Sequence, residues 1–313
     1  MDVLLKSALA PRVQLAIGLG LIVAAATRLP LFPFHGWARD LYSEAPLGLS
    51  VVVAGSASRL GAYLLLRTLV AANPDATRLL SPLVAALAAL TIIYAALVAL
   101  RSADLRRSAA HLAMVPGGLT VLGLAALSPL AIAGSVLSMF TGGLAAALIV
   151  AAAVTLTDRA QTRNVQLLSG LAPRMPIITW VLVLAALALL GVPLMASFPA
   201  QTMILFGSFK TQPVGAFAVV AGLVLVAVAL GILVHRVLFG QPNHDAPGAS
   251  DASLGETWYL GLLAGALLWV GLFPGGPKLP GTDQPVFDPG LLNIMSAGIT
   301  DIASPYVPPA ATP

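Results

Sequence analysis

Residues 28–67 read RLPLFPFHGWARDLYSEAPLGLSVVVAGSASRLGAYLLLR, and this stretch decides how the rest of the chain is interpreted. An apolar run ends at Arg28, and a turn rich in proline and aromatic residues follows it and closes at Pro46. A second apolar run then begins and carries one charge, Arg59, near its middle. Since a charge at the bilayer centre costs at least ~2.5–3.5 kcal/mol, we expect Arg59 to have a function.

The composition of the chain is that of a membrane protein. Its 313 residues are 58% hydrophobic and 9% charged, whereas soluble domains carry roughly 25% charged residues. Apolar runs of about 20 residues recur, each long enough to cross ~30 Å of hydrocarbon as a helix. Helices satisfy their backbone hydrogen bonds within one segment, and the alternating pattern of a membrane barrel is absent. We therefore predict an all-α, polytopic transmembrane helix bundle.

Several classes of chemistry are excluded by what the sequence lacks. The chain has no cysteine, so it forms no disulfide and no Cys-ligated iron–sulfur cluster. No metal-ligand cluster, nucleotide loop, nucleophile triad or carboxylate pair can be assembled, and no cleavable signal peptide is evident. The net charge of +4 is spread over loops and does not indicate nucleic acid. We predict a membrane subunit with no active site, cofactor or metal of its own, surrounded by lipid and other hydrophobic subunits.

The apolar pattern predicts about eight spans and three regions. The regions are an N-terminal segment at 1–12, a transmembrane domain at 13–274 and a Pro/Gly-rich tail at 275–313. The spans are predicted at 13–27, 47–69, 79–100, 108–127, 130–156, 176–209, 214–235 and 257–273. The sixth is expected to be discontinuous near 191–199, where Gly191, Pro193 and Pro199 fall. Unwound backbone at membrane depth persists only inside protein or against water, so this break should lie in the interior.

The basic residues predict an orientation in the bacterial inner membrane. If Met1 lies outside, nine arginines fall in inner loops and six basic residues fall on the outer side. Because positive charge is enriched in cytoplasmic loops, this distribution favours two periplasmic termini.

The quoted stretch resembles the antiporter-like membrane subunits of respiratory complex I, especially the M type, and the related Mrp antiporters. The matching positions are Pro30, Pro33, His35, Trp37, Asp40, Ala45, Pro46, Ala54, Gly55, Ala62, Tyr63 and Arg67. Further along, Asp104-Leu-Arg-Arg107, the Gly191-Val-Pro193 break with the run 203–209, and His235-Arg236 continue the likeness to about Gly240.

This resemblance implies the second half of a longer fold. Subunits of the family usually have about fourteen spans, and this sequence starts just ahead of their seventh. The resemblance therefore implies a chain shortened at its N terminus, without a counterpart of the family's fifth-span glutamate. A separate chain could supply the missing half.

The resemblance also points to four proton-path positions. The family uses a lysine in its seventh span, a lysine in its eighth and a lysine or glutamate in its twelfth; here these positions hold Arg28, Arg59 and Gln201. His111 is the fourth candidate, in the fourth predicted span. Arginine keeps its proton, with a pKa above ~12, and glutamine cannot ionise. The sequence thus predicts a degenerate proton path, with every carboxylate in a loop or terminus.

Each candidate also has a structural interpretation. Arg59 is either a charge retained from an ion path or an arginine paired with a backbone carbonyl, a neighbouring subunit or lipid. For Arg28 we favour a side chain that snorkels to the membrane interface. For His111 we favour an interfacial or packing contact, and for Gln201 hydrogen bonds to backbone groups freed by the helix break.

Two functional hypotheses follow, with a third behind them. The first is a shortened, degenerate M-type subunit of a proton-translocating NADH-quinone oxidoreductase or related complex, with a mainly structural role. The alternative is a proton- or cation-translocating subunit that is still active and is completed by a partner chain. A Mrp-type or bicarbonate-uptake membrane subunit is the third possibility.

Overall fold

The computed structural model describes residues 10–240, 250–273 and residue 302. Within these ranges the chain is helical and contains no strand; a single isolated bridge joins the loops at Asp104 and Asn164. The all-α prediction is therefore confirmed. Most of the predicted segment 1–12, part of the polar loop after Gly240 and nearly all of the predicted tail lie outside the described residues.

Twelve α-helices are described. They are α1 (Pro11–Arg28), α2 (Gly36–Glu44), α3 (Leu47–Gly55), α4 (Leu60–Leu64), α5 (Pro74–Arg101), α6 (Leu105–Leu112), α7 (Val115–Ala125), α8 (Pro129–Ala160), α9 (Pro176–Leu190), α10 (Ser197–Phe209), α11 (Pro213–Phe239) and α12 (Leu254–Leu272). Five of them, α1, α5, α8, α9 and α11, begin with a proline, whose missing N–H has no helical partner at that position anyway.

Six helical segments of the described chain are long and apolar enough to cross a membrane. They are Leu47–Val70, α5, Leu105–Ala125, α8, α11 and α12. The shorter α9 and α10 flank the predicted break, and α1 is 18 residues long. The helices extend up to five residues beyond the predicted spans, because polar end turns continue the helix past the apolar run.

The bundle is built around α8 and the α6–α7 segment. The most apolar 18 residues of the Leu105–Ala125 segment are all buried, and 83% of the corresponding stretch of α8 is buried. Small residues let the helices approach closely, as is common in membrane bundles. A Cβ placed on Gly143 of α8 would lie 2.3 Å from the carbonyl oxygen of Gly55 in α3, so only glycine fits this crossing.

The predicted break in the sixth span is confirmed. Helix α9 ends at Leu190 and α10 begins at Ser197. Gly191 has a φ of +63°, a left-handed conformation that ends the helix. The backbone N–H of Ala196 donates to the carbonyl of Leu267 at 3.0 Å, so α12 covers the break.

A second irregular span was not predicted. The segment 47–69 was expected to be one regular helix, but a 3₁₀ turn at Ala57–Arg59 and a π-helical turn at Leu65–Val70 interrupt it. The hydroxyls of Ser56 and Ser58 donate back to the carbonyls four residues earlier, at 2.8 and 3.0 Å. Such bonds compete with the helical ladder and bend helices, which accounts for the irregularity before Arg59.

Candidate functional site in the interior of the bundle

Arg59 projects into the interior from the 3₁₀ turn. Its exposed fraction is 7%, and its Nη2 lies 3.5 Å from the carbonyl oxygens of both Ala113 and Gly142. These are long, weak hydrogen bonds to neutral acceptors. Within the described part of the chain, Nε and Nη1 have no hydrogen-bond partner. The structure thus buries a cation that its own described residues only partly compensate.

A groove of about 540 Å³ runs beside Arg59 between α3, α4 and α8. Its walls are mainly apolar and include Val52, Tyr63 and Phe140, which are each about half exposed, and no described carboxylate lines it. Any counter-ion for Arg59 must therefore come from outside the described residues.

Tyr42 in α2 is the ionisable group that lies near Arg59. It is 2% exposed, and burial raises the pKa of its phenol above the ordinary value of 10.0. The phenol is therefore neutral at pH 7 and gives Arg59 no negative charge.

A second buried arginine shows what a paired cation looks like in this bundle. Arg106 is also 7% exposed, but its Nε donates to Thr157 Oγ1 at 2.6 Å and its Nη2 to the carboxylate of Asp158. The contrast shows that Arg59 differs from Arg106 in its partners, at the same degree of burial.

Arg28 lies at the end of α1 and is exposed. Beside it, Trp37 Nε1 donates to the carbonyl of Thr27 at 2.7 Å, which ties the following turn to α1. The same helix end approaches Arg59, because a Cβ on Gly117 would lie 3.4 Å from Leu29 O and 3.6 Å from Arg59 Nη1. The structure thus brings the end of α1 and Arg59 together.

Gln201 belongs to the α9–α10 break, away from the two arginines. It is 7% exposed, and its Nε2 donates to the carbonyl of Leu189 at 3.0 Å. The Ser197 hydroxyl donates to the carbonyl of Ala188, and the Val192 N–H to that of Leu187 at 3.1 Å. Carbonyls freed by the break are therefore satisfied locally. That Arg28 and Gln201 occupy the family's proton-path positions stays a prediction.

His111 is buried in a polar cluster that the sequence did not reveal. Its exposed fraction is 2%, and its Nδ1 lies 2.7 Å from the carbonyl oxygen of Arg107. The ring centroids of His35 and Tyr94 lie 6.1 and 5.9 Å from that of His111. The burial of His111 fits the predicted packing contact, and its location at the membrane interface stays a prediction. Tyr94 could not be found from the sequence, since it is distant along the chain and matches no motif.

His35 completes this cluster from the turn before α2. Burial, followed by the charge of Arg39, lowers the pKa of His35 below 6.5, so its ring is neutral at pH 7. Its Nδ1 has no partner among the residues that the structure describes.

The described carboxylates all lie outside the apolar stretches of the long helices. Asp40, Glu44, Asp104 and Asp251 lie in connecting segments, in α2 or at a helix cap. Asp75, Asp158 and Glu256 fall within the end turns of α5, α8 and α12, where the prediction had loops. In the ranges 10–240 and 250–273, the interior of the bundle thus contains arginine and histidine but no acid.

These features define a class: a polytopic membrane bundle with a discontinuous helix and a buried cation, as in antiporter-like transmembrane chains. The chain belongs to the family described as NADH:quinone oxidoreductase/Mrp antiporter, transmembrane, whose model matches residues 3–228. The resemblance drawn from the sequence is confirmed.

Relatives from bacteria agree with this assignment. The chain is 32% identical over 285 residues to NADH-quinone oxidoreductase subunit M of Pseudomonas aeruginosa, covering 91% of this chain and 54% of that protein. It is 31% identical over 290 residues to subunit M of Escherichia coli K12, covering 91% and 55%. The chain therefore spans about half the length of these relatives.

Solved structures share the fold. A chain of respiratory complex I from Thermus thermophilus with bound NADH gives a TM-score of 0.80 at 24% identity, covering 96% of this chain and 61% of that one. A chain of the Mrp complex from Dietzia gives a TM-score of 0.76 at 17% identity, covering 91% and 58%. At these identities the likeness shows the fold alone.

Proposed function

We propose that this chain is an M-type, antiporter-like subunit of a proton-translocating NADH-quinone oxidoreductase or a related complex. It lies in the bacterial inner membrane with both termini periplasmic, among other hydrophobic subunits and lipid. The identity to subunit M proteins supports this assignment. The enclosed α6–α7 segment and the half-exposed apolar helix faces support a role in packing.

We further propose that its own proton path is degenerate and its role mainly structural. The observation that carries this proposal is the environment of Arg59, a buried cation whose hydrogen bonds within the described residues go only to neutral carbonyls. Since arginine keeps its proton in proteins, Arg59 cannot alternate between charge states as a relay must. Gln201 supports the same conclusion, because its amide donates to a carbonyl freed by the helix break and does not ionise.

The test separates assembly from pumping in membranes of the native host. Arg59→Gln should reduce the amount of assembled complex on native gels. The substitution removes the guanidinium and with it the contacts to the carbonyls of Ala113 and Gly142. The number of protons translocated per electron should stay normal in the complex that does assemble. Arg67→Gln, at an exposed arginine of the same segment, is the matched control and should change neither quantity. A lower proton-to-electron ratio with normal assembly would refute the structural role.

One observation favours the alternative of an active subunit completed by a partner chain. Arg59 lines an open groove in which a partner helix could place an acid, and its buried Nε and Nη1 have no partner among the described residues. Restoring titratable residues together, with Arg28→Lys, Arg59→Lys and Gln201→Glu, should then raise proton pumping. Unchanged pumping in an assembled complex would count against this alternative.

A further inference from the structure

We propose that the chain binds an anionic phospholipid in a basic opening between α2, α5 and α6. The opening has a volume of about 490 Å³ and is lined by Arg39, Tyr94, Leu97, Arg101, Arg107 and His111, with Val98 and Ser102. Three guanidinium groups line it and, among the described residues, no carboxylate does. Arginine binds phosphate through paired N–H donors, so this wall suits a lipid phosphate.

The three arginines are incompletely neutralised by the chain itself. Arg39 pairs with Asp40 at 2.7 Å, whereas Arg107 Nε lies 3.9 Å from Asp104 Oδ2. Across residues 10–240 and 250–273, no ion pair is found for Arg101. Arg101 is exposed at the end of α5, where a phosphate could reach it. A phosphate at this position would compensate the unpaired charge.

The wall also holds a buried group with unused hydrogen-bonding capacity. Since a carbonyl oxygen only accepts, His111 Nδ1 must donate its hydrogen to Arg107 O. In the neutral ring Nε2 is then an acceptor, and within the described chain it has no partner. An acceptor beside three arginines suits a headgroup that carries a hydroxyl next to its phosphate, as phosphatidylglycerol does.

An apolar track leads from the opening along α5. Leu97, in the wall of the opening, is followed at seven-residue steps toward the helix start by Leu90 and Leu83, with exposed fractions of 49%, 50% and 44%. Seven residues advance a helix by about 10 Å, and one leaflet is about half of the ~30 Å hydrocarbon layer. An acyl chain that runs from Arg101 past Leu97 to Leu90 therefore covers about 16 Å, or about one leaflet, which free phosphate cannot do.

Lipid binding to the purified 313-residue chain tests the proposal. Native mass spectrometry in detergent, with dioleoyl-phosphatidylglycerol and dioleoyl-phosphatidylcholine as probes, should show tighter binding of phosphatidylglycerol. Arg101→Gln and Arg107→Gln should each weaken that binding about fivefold, since one basic residue near an anionic surface contributes ~1 kcal/mol. Binding of phosphatidylcholine should not change.

Three further variants make the test decisive. Arg67→Gln, on an exposed arginine outside the opening, should leave phosphatidylglycerol binding unchanged. Leu97→Ser should weaken phosphatidylglycerol binding but not the binding of inorganic phosphate. Arg101→Lys keeps the charge without the paired donors and should give an intermediate loss, which guards against misfolding. Equal losses in Arg101→Gln and Arg67→Gln would overturn the site, and inorganic phosphate that binds as tightly as the lipid would overturn the acyl track.

Discussion

Gly191→Ala is the substitution that most directly tests how the broken span is held together. Gly191 has a φ of +63°, and a Cβ there would lie 2.3 Å from Gln201 Oε1. The left-handed backbone costs a residue with a Cβ ~1–2 kcal/mol. Displacing the Gln201 amide also leaves the Leu189 carbonyl without its donor, which costs ~1–3 kcal/mol. We therefore expect a loss of about 2–5 kcal/mol in the free energy of unfolding.

The assay is unfolding of the purified chain in mixed detergent micelles, followed by circular dichroism. Gly231→Ala in α11 is the control, because a Cβ there meets nothing within 4 Å; it should be neutral or slightly stabilising. Gln201→Ala alone should lose the hydrogen bond to the Leu189 carbonyl. In the double variant it also opens space for the methyl group that Gly191→Ala introduces. The double variant should then cost about 1–2 kcal/mol less than the sum of the singles. Equal stability of Gly191→Ala and Gly231→Ala would refute the reasoning.

Three smaller perturbations test other contacts by the same unfolding assay. Gly143→Ala should cost about 1–3 kcal/mol, because its methyl group collides with Gly55 O and forces α3 from α8. Asp104→Ala should cost ~0.5–2 kcal/mol, since its carboxylate accepts from two N–H groups at the start of α6. Glu44→Gln should cost below ~1 kcal/mol at pH 7, since the pair with Arg163 is largely exposed.

The Glu44 prediction also has a defined pH dependence. The hydrogen bond from Arg163 holds the pKa of Glu44 below its ordinary value of 4.5. A depressed folded-state pKa stabilises the fold above the ordinary value and loses this contribution as the pH falls through the lowered one. The difference between the native chain and Glu44→Gln should therefore vanish in acid. A difference that persists there would mean that Glu44 acts by packing.

Control variants separate the effects of Gly143→Ala and Asp104→Ala from a general weakening of the helices. Gly265→Ala in α12 places its methyl group in open space and should not destabilise the protein, unlike Gly143→Ala. Asp104→Asn keeps an acceptor at the cap and should retain most of the stability that Asp104→Ala loses. The reasoning fails if either control matches its test variant.

The sequence predicted the bundle and its broken span because both depend on local chemistry. Long apolar runs must form helices in a membrane, and Gly191 with Pro193 interrupts a helix wherever it packs. The irregular turn at Ala57–Arg59 was missed, since hydrophobicity does not report where Ser56 and Ser58 bond back to their own helix.

The environment of the candidate residues was harder to predict than their identity. Arg59 and Gln201 stand out in the sequence as polar residues within apolar runs. The carbonyls that Arg59 contacts lie 54 and 83 residues away along the chain, whereas Gln201 donates to a carbonyl 12 residues back, across the predicted break. The burial of His111 among His35 and Tyr94 depends on three separate segments that meet only in the fold. No single stretch of sequence carries that information.

Arg59 links the stability of the isolated chain to its assembly, and Arg59→Met tests this link. A buried ion without a counter-ion carries a penalty of several kcal/mol, and apolar replacement of buried ionic groups often stabilises by ~1–4 kcal/mol. Arg59→Met should therefore raise the unfolding free energy of the purified chain, although two weak hydrogen bonds are lost. If a neighbouring subunit supplies an acid at the groove, the same variant should reduce assembled complex, because that acid is left buried and unpaired. A purified Arg59→Met chain that is less stable than the native chain would refute this expectation. It would show that the carbonyls and the helix packing already offset the cost of burying the charge of Arg59.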